Sequence, residues 1–229
     1  TVSVDQTGPF AVGEYLLVWT ATEEGENIIT ASQKVTIKDT TAPLIDIPDL
    51  IEIEATGEFT DITSKLNLPA TDLVDGNVDV ELISNNLQKS GMQQIMVRAT
   101  DSHGNQAEQL VQVAIHPQVM LGMDQVAENG ANVSIPLQLN GAAAILPVTI
   151  NYQIDSAGQV NEGEFVIDSE LAEPLVITLP DDLLAGDQVT VKLISAQNAV
   201  LSSDSTMLIT LIETNVAPRL KVDLYQSDV

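Results

Sequence analysis

Acidic and amide side chains recur in three short polar segments of this chain. These segments hold Asp39, the pair Asp72 and Asp75, and Asp101 with Asn105. Carboxylate, amide and carbonyl oxygens are the ligands of Ca²⁺, which takes about six to eight of them. If the fold brings the segments together, they predict a calcium site. The same residue types are also common in solvated turns, so the alternative is that they only form turns and bind no ion.

The residues argue against catalysis. Ser102 and His103 follow Asp101, but neighbours on one turn do not form a Ser-His-acid relay, which needs groups from separate elements. His116 precedes Pro117, and we expect it to be a linker residue. The chain has no cysteine, which excludes disulfides, thiolate metal sites and a cysteine nucleophile. We therefore expect that the protein is not an enzyme.

The charge balance excludes two classes of partner. Lys and Arg number 8 against 33 Asp and Glu, which gives a formal net charge of −25. Nucleic acids and anionic membrane surfaces attract clustered basic residues, so we expect neither as a partner. A hydrophobic fraction of 44% also excludes a disordered acidic tail. No apolar run approaches the roughly 18 residues of a membrane span, so we expect no direct membrane insertion.

Apolar residues alternate with polar ones along most of the chain, as in residues 35–37, 44–47 and 189–193. This period of two is the pattern of β-strands. Aromatic residues make up only 3% of the chain, so each core must consist of Val, Ile and Leu in thin layers. The fold class predicted is all-β, with tandem Ig-like β-sandwiches.

An internal repeat supports this organisation. Residues 1–39 align without a gap onto residues 79–117 at an offset of 78, which places Gly13 on Gly91 and Asn27 on Asn105. An offset of this size corresponds to one Ig-sized sandwich. Residues 1–40 then match the C-terminal half of a repeat and 41–117 a complete one. We expect the first half of the first repeat to lie upstream of Thr1.

Alternation within the repeat predicts which face of each strand points to the core. In the second copy that face carries Ile95, Val97 and Ala99, and the offset gives Leu17, Trp19 and Ala21 in the first copy. Trp19 is therefore expected in a core, and Tyr15 on the same face is the candidate for a tyrosine corner. Half a sandwich leaves an unpaired edge, which predicts self-association through residues 1–40.

Segments in residues 1–117 resemble the hyalin-repeat (HYR) module, an Ig-like sandwich of extracellular and cell-surface proteins. They are VGEY (12–15), WTAT (19–22), DTTAP (39–43), EATG (54–57), ATD (70–72) with DG (75–76), and ATD (99–101) with GN (104–105). The absence of cysteines suggests a bacterial relative. In an Ig-like sandwich the B–C and F–G loops lie at the end where the chain enters, so the resemblance implies that Asp39, Asp72, Asp75, Asp101 and Asn105 converge. Calcium there would stiffen a domain junction.

Residues 118–214 resemble a different sandwich, the Calx-beta module. The resemblance is carried by VAENG (126–130), LPVTINY (146–152), EGEF (162–165), DD (181–182) with GD (186–187), and VKL (191–193) through NA (198–199). It implies further calcium candidates at Glu128, Asp155 and Asp182. The chain departs from calcium-binding members after the last strand, where Ile-Glu-Thr-Asn replaces an acidic run. Residues 215–229 are predicted to be a linker and the start of a further module.

These observations predict a non-catalytic structural or adhesion segment of a multidomain bacterial protein that is secreted or on the cell surface. It would space and present other domains and be rigidified by calcium at domain junctions. A glycan- or protein-binding adhesin module is one alternative, and an exposed cluster of Tyr152, Phe165 and Tyr225 would favour it. An accessory region of a large secreted hydrolase is another. The expected partner is an unidentified surface protein or glycan.

Overall fold

The protein is an all-β chain, as predicted. The computed structural model describes residues 1–24, 27–169 and 173–213. β-Strand makes up 57% and helix 1%. The only helix among the described residues is a 3₁₀ turn at Thr63–Lys65. No helix in the described part of the chain has the length and apolar character needed to cross a membrane.

The strands follow one another with short connections. In chain order they are β1 Val2–Val4, β2 Gly13–Thr22, β3 Ile28–Ile37, β4 Leu44–Ile45, β5 Ile51–Glu54, β6 Thr60–Asp61, β7 Ala70–Asp72, β8 Gly76–Val78, β9 Val80–Leu82, β10 Leu87–Gln88, β11 Gly91–Thr100, β12 Gln106–His116, β13 Gln118–Leu121, β14 Gln125–Glu128, β15 Asn132–Ile135, β16 Leu137–Leu139, β17 Val148–Ser156, β18 Gln159–Ile167, β19 Leu175–Thr178, β20 Gln188–Gln197, β21 Val200–Leu201 and β22 Thr206–Ile212.

The described chain divides into two compact units. The first comprises Thr1–Ile51, Ile62–Asn86 and Gln94–Gln112, and the second comprises Glu52–Asp61, Leu87–Gln93 and the chain from Val113 onward. The division predicted from the sequence, into residues 1–40, 41–117, 118–214 and 215–229, stays a prediction. The last of them, 215–229, lies outside the described residues.

The first unit begins with a sheet of order β1-β2-β3. Its central strand places Leu17 in a buried position and directs Tyr15 Oη to donate to the carbonyl of Ala11 at 3.0 Å. A tyrosine hydroxyl bonded to the backbone a few residues upstream is the geometry of a tyrosine corner, so that prediction is confirmed.

The prediction that Trp19 lies in a core is wrong. The Trp19 side chain is 39% exposed, and its Nε1 donates to Gln33 Oε1 at 2.9 Å. Trp19 shares the apolar face of the sheet with Leu17 and Ala21, as the alternation requires. Within the described part of residues 1–39 there are three strands of a single sheet. No second layer from that segment covers the tryptophan.

The second repeat does have a closed core. Ile95, Val97 and Ala99 on β11 are fully buried, as predicted. Strand β11 pairs with β9, and the sheet has the order β5-β12-β11-β9. A second sheet has the order β4-β7-β8, in which the β7–β8 hairpin pairs Asp72 with Gly76. Gly76 has φ +73°, the left-handed conformation that glycine adopts without steric cost.

The second unit contains a β-sandwich-like arrangement. One sheet has the order β14-β22-β20-β17-β18, and β16-β13-β21 and β15-β19 form two smaller sheets. Buried aliphatic side chains from all three sheets form one cluster, including Val119, Ile135, Ile150, Val191 and Ile209. Among the described residues this cluster has no buried aromatic side chain, as the composition implied, and Tyr152 and Phe165 pack against it partly buried.

Candidate metal centre

Three segments of the first unit come together around one point. The β7–β8 hairpin carries Asp72 and Asp75, and the connection between β11 and β12 carries Asp101 and Asn105. Asp39 lies two residues after β3, in the segment that leads to β4. The structure thus assembles the five residues that the sequence predicted to converge. One ligand atom from each of the four aspartates lies within 4.8 Å of the others.

The Asp72 carboxylate organises its own hairpin with one oxygen only. Its Oδ1 accepts hydrogen bonds from the backbone N–H groups of Val74 at 2.7 Å and Asp75 at 3.1 Å. This is the local pattern by which aspartate stabilises a turn. Its Oδ2 is buried and accepts no hydrogen bond. This oxygen is therefore available to a ligand.

Asp101 has the same role in the second loop. Its Oδ1 accepts from the N–H groups of His103 at 2.9 Å and Asn105 at 2.8 Å, and its Oδ2 accepts from Asn105 Nδ2 at 2.7 Å. Burial raises the pKa of Asp101, but the hydrogen bonds from Asn105 and His103 outweigh it and leave the pKa below its ordinary value. Asp101 is therefore held in its charged form.

Asp75 ties the two loops to each other. Its Oδ1 accepts from Ser102 Oγ at 2.7 Å, and its Oδ2 accepts from Ser102 N at 3.0 Å. The hydrogen bond from the Ser102 hydroxyl is the main cause that lowers the pKa of Asp75. A carboxylate that is kept ionised beside three others adds to the negative potential of the cluster.

Asp39 places a buried side chain in the cluster. Its side chain is only 2% exposed, and its Oδ1 accepts from Thr41 N at 3.0 Å. Asn105 Nδ2 donates to its backbone carbonyl at 3.4 Å, which joins this segment to the loop after β11. Asp39 Oδ2 accepts no hydrogen bond. A buried carboxylate oxygen without a partner costs free energy, because it has lost water and gained nothing in return.

The cluster has no basic residue to balance it. In residues 1–24, 27–169 and 173–213, no Lys or Arg forms an ion pair with Asp39, Asp72, Asp75 or Asp101. Four carboxylates at this separation repel one another, and a divalent cation removes that repulsion. Two carboxylate oxygens of the cluster, Asp39 Oδ2 and Asp72 Oδ2, are buried and have no hydrogen-bond partner.

His103 is the residue that the sequence reasoning missed. Its Nδ1 lies 3.3 Å from Asp75 Oδ2 and 3.6 Å from Asp39 Oδ2, so His103, Asp39 and Asp75 form a second group able to hold a metal ion. The sequence did contain a signal, because His103 lies between Asp101 and Asn105 in the same loop. In the sequence, however, His103 stands out only as a neighbour of Ser102 and Asp101.

The contacts of His103 do not have the geometry of a catalytic relay. Ser102 Oγ approaches His103 Nδ1 at 3.2 Å, and Asp75 Oδ2 approaches the same nitrogen at 3.3 Å. In a relay the serine and the acid contact opposite ring nitrogens. The Ser102 hydroxyl donates to Asp75 instead, at 2.7 Å.

The three candidates in the second unit are not members of this cluster. Glu128 ends β14, and Asp155 Oδ1 accepts from Gly158 N at 2.9 Å in the turn between β17 and β18. Asp182 follows β19 in a turn before β20. Within the described ranges, none of the three belongs to a cluster of three or more metal-binding groups. Their role as calcium ligands stays a prediction.

No protein-family model matches the chain, and no curated protein matches it. The all-β architecture with several packed sheets is compatible with β-sandwich modules. The resemblance to HYR and Calx-beta modules rests on the residues alone.

Proposed function

We propose that Asp39, Asp72, Asp75 and Asp101 bind one calcium ion. The observation that carries this proposal is Asp39 Oδ2, which lies on a side chain only 2% exposed and has no hydrogen-bond partner. Such an oxygen is unfavourable in the free protein and becomes favourable when a cation binds it. Asp72 Oδ2 is in the same condition.

The size and chemistry of the cluster suit calcium. Two oxygens on opposite sides of a Ca²⁺ ion are ~4.6 to 5.2 Å apart, because each bond is ~2.3 to 2.6 Å. The four aspartate ligand atoms lie within 4.8 Å of one another. Water and backbone carbonyls would complete the six to eight oxygens that calcium takes. Asn105 holds Asp101 and Asp39 in place through its amide nitrogen.

The position of the site supports a mechanical role. Asp39 belongs to the segment between the β1-β2-β3 sheet and β4, whereas the other three aspartates belong to loops of the second repeat. An ion bound to all four would fix that segment to those loops and limit its bending. We propose that the chain is a non-catalytic spacer or adhesion segment of a bacterial protein that is secreted or on the cell surface. Its net charge of −25 would keep neighbouring molecules apart.

Calorimetric titration with CaCl₂ tests the site. Extracellular modules bind calcium with a Kd of roughly 10⁻⁴ to 10⁻³ M, and we expect the wild-type chain to fall in that range. The variant Asp39→Asn should lose at least tenfold in affinity. The matched control Asp49→Asn removes an exposed aspartate outside the cluster and should bind as the wild type does. Equal binding by all three proteins would refute the proposal.

A protein- or glycan-binding role is the second candidate, because the first unit also holds a cleft. The cleft has a volume of about 850 Å³ and is lined by Asn67, Asn77, Asn85 and Asn86 together with aliphatic side chains. Amide groups bind hydroxyl-rich or peptide ligands. Its described lining includes no aromatic side chain for sugar stacking. Tyr152 and Phe165 pack against the core of the second unit instead, and Tyr225 lies outside the described residues. A glycan array with the whole chain tests this candidate.

A further inference from the structure

His103 places an imidazole nitrogen beside two of the carboxylates, and such a nitrogen is not a ligand that calcium needs. His103 Nδ1 lies 3.3 Å from Asp75 Oδ2 and 3.6 Å from Asp39 Oδ2. A direct hydrogen bond between an ionised pair is shorter, at about 2.7 to 2.9 Å. The chain provides its own comparison, because His116 Nε2 lies 2.8 Å from Glu52 Oε2. Compared with that pair, the contact of His103 Nδ1 with Asp75 Oδ2 is long, and Asp39 Oδ2 lies beyond hydrogen-bond distance of it.

The two distances match the spacing of ligands around a tetrahedral metal ion. With bonds of ~2.0 to 2.2 Å, neighbouring ligand atoms of a tetrahedral zinc site are ~3.3 to 3.6 Å apart. The measured separations are 3.3 and 3.6 Å. Imidazole nitrogen is a preferred ligand of zinc-class ions, whereas calcium takes oxygen ligands.

One of the two carboxylate oxygens near His103 also has no hydrogen-bond partner. Asp39 Oδ2, the atom that faces His103 Nδ1, accepts no hydrogen bond and belongs to a side chain only 2% exposed. Asp75 Oδ2 does accept from Ser102 N at 3.0 Å, and an oxygen with several lone-pair sites retains capacity for a metal. The imidazole is 32% exposed, which leaves a path from solvent for an ion and for a water ligand.

We infer that Asp39, Asp75 and His103 form a second, overlapping site for a zinc-class transition-metal ion, with water as the fourth ligand. This inference rests on the proposed cation-binding function of the cluster and adds to it the class of ion. The calcium and zinc ligand sets share Asp39 and Asp75, so the two ions compete for one centre. At the position equivalent to His103 the first repeat has Gly25, so the nitrogen ligand belongs to the second repeat alone.

The test is a pair of titrations, with ZnCl₂ and with CaCl₂, on the whole chain and on His103→Ala. We expect one Zn²⁺ per wild-type chain and a zinc affinity at least tenfold weaker in His103→Ala. The calcium affinity of the variant should stay within twofold of wild type, which also shows that the variant is folded. Saturating Ca²⁺ should weaken zinc binding to the wild type, because the two ions share ligands. Zinc bound elsewhere in the chain, for example at His116, would bind equally well with and without calcium.

The outcomes separate this inference from the proposed function. Calcium binding without zinc binding, or zinc binding that is equal in His103→Ala, overturns the zinc site and leaves the calcium site standing. Zinc binding that ignores saturating calcium overturns the shared ligand set. Absence of binding by both ions overturns both proposals.

Discussion

Replacing Asp39 with asparagine should stabilise the chain in the absence of calcium, and calcium should reduce or reverse that advantage. In the presence of a chelator, the wild-type chain holds a buried carboxylate oxygen with no partner beside three other carboxylates. The asparagine side chain would keep an oxygen for the Thr41 N–H and would place an amide donor toward the neighbouring carboxylates. Relief of a buried, unsatisfied polar group is worth about 1 to 3 kcal/mol. We therefore expect Asp39→Asn to be more stable than wild type by about that amount.

Calcium should reduce or reverse this difference in stability between Asp39→Asn and the wild type. An ion bound only to the folded state stabilises it by RT ln(1 + [Ca²⁺]/Kd), which is about 1 to 2 kcal/mol for 5 mM Ca²⁺ and a Kd of 10⁻³ to 10⁻⁴ M. The wild type should gain this free energy of unfolding, and Asp39→Asn should gain almost none of it.

Urea unfolding followed by tryptophan fluorescence measures both effects. Trp19 is the single tryptophan and belongs to the same unit as the cluster. Asp49→Asn is the control and should follow the wild type in both buffers. A destabilised Asp39→Asn in chelator, with a full response to calcium, would refute the reasoning.

Three further predictions concern the junction, the loops and the N-terminal sheet. Calcium should slow trypsin cleavage after the exposed Lys38 relative to cleavage at Lys192, and equal slowing at both bonds would contradict a fixed junction. The lowered pKa of Asp101 means that it stabilises the folded chain above its ordinary pKa of 3.8 and loses this effect as the pH falls through the lowered value. In chelator, Asp101→Asn should therefore show a smaller loss of unfolding free energy between pH 5 and pH 2, and an unchanged loss would contradict this. Light scattering should detect self-association that Ile29→Lys weakens, because Ile29 is an exposed apolar residue on the edge strand β3; a strict monomer at all concentrations contradicts it.

The fold could be read from the sequence where alternation alone decides. Ile95, Val97 and Ala99 repeat at a period of two, and β11 buries all three. The same pattern placed Trp19 on the correct face but in the wrong environment, because burial also depends on a second layer. Alternation within one strand carries no information about whether such a layer is present.

Some features of the candidate site could likewise be predicted from the sequence, and others could not. Asp72 and Asp101 could be predicted because each lies at the end of a strand and starts a turn stabilised by its own carboxylate. The unpartnered oxygens of Asp39 and Asp72 could not, since they depend on which way each carboxylate is rotated after its other oxygen is bonded. His103 required the distance across two loops, from the Asp101 loop to Asp75 and Asp39. Spacing along the chain does not give such a distance.

A crystal structure of the chain grown with CaCl₂, with anomalous difference density to identify the ion, tests the central claim most directly. The account predicts one calcium ion with Asp39 Oδ2 and Asp72 Oδ2 among its ligands, at ~2.3 to 2.6 Å. A structure in which both oxygens remain without a ligand while calcium is present at saturating concentration would contradict it.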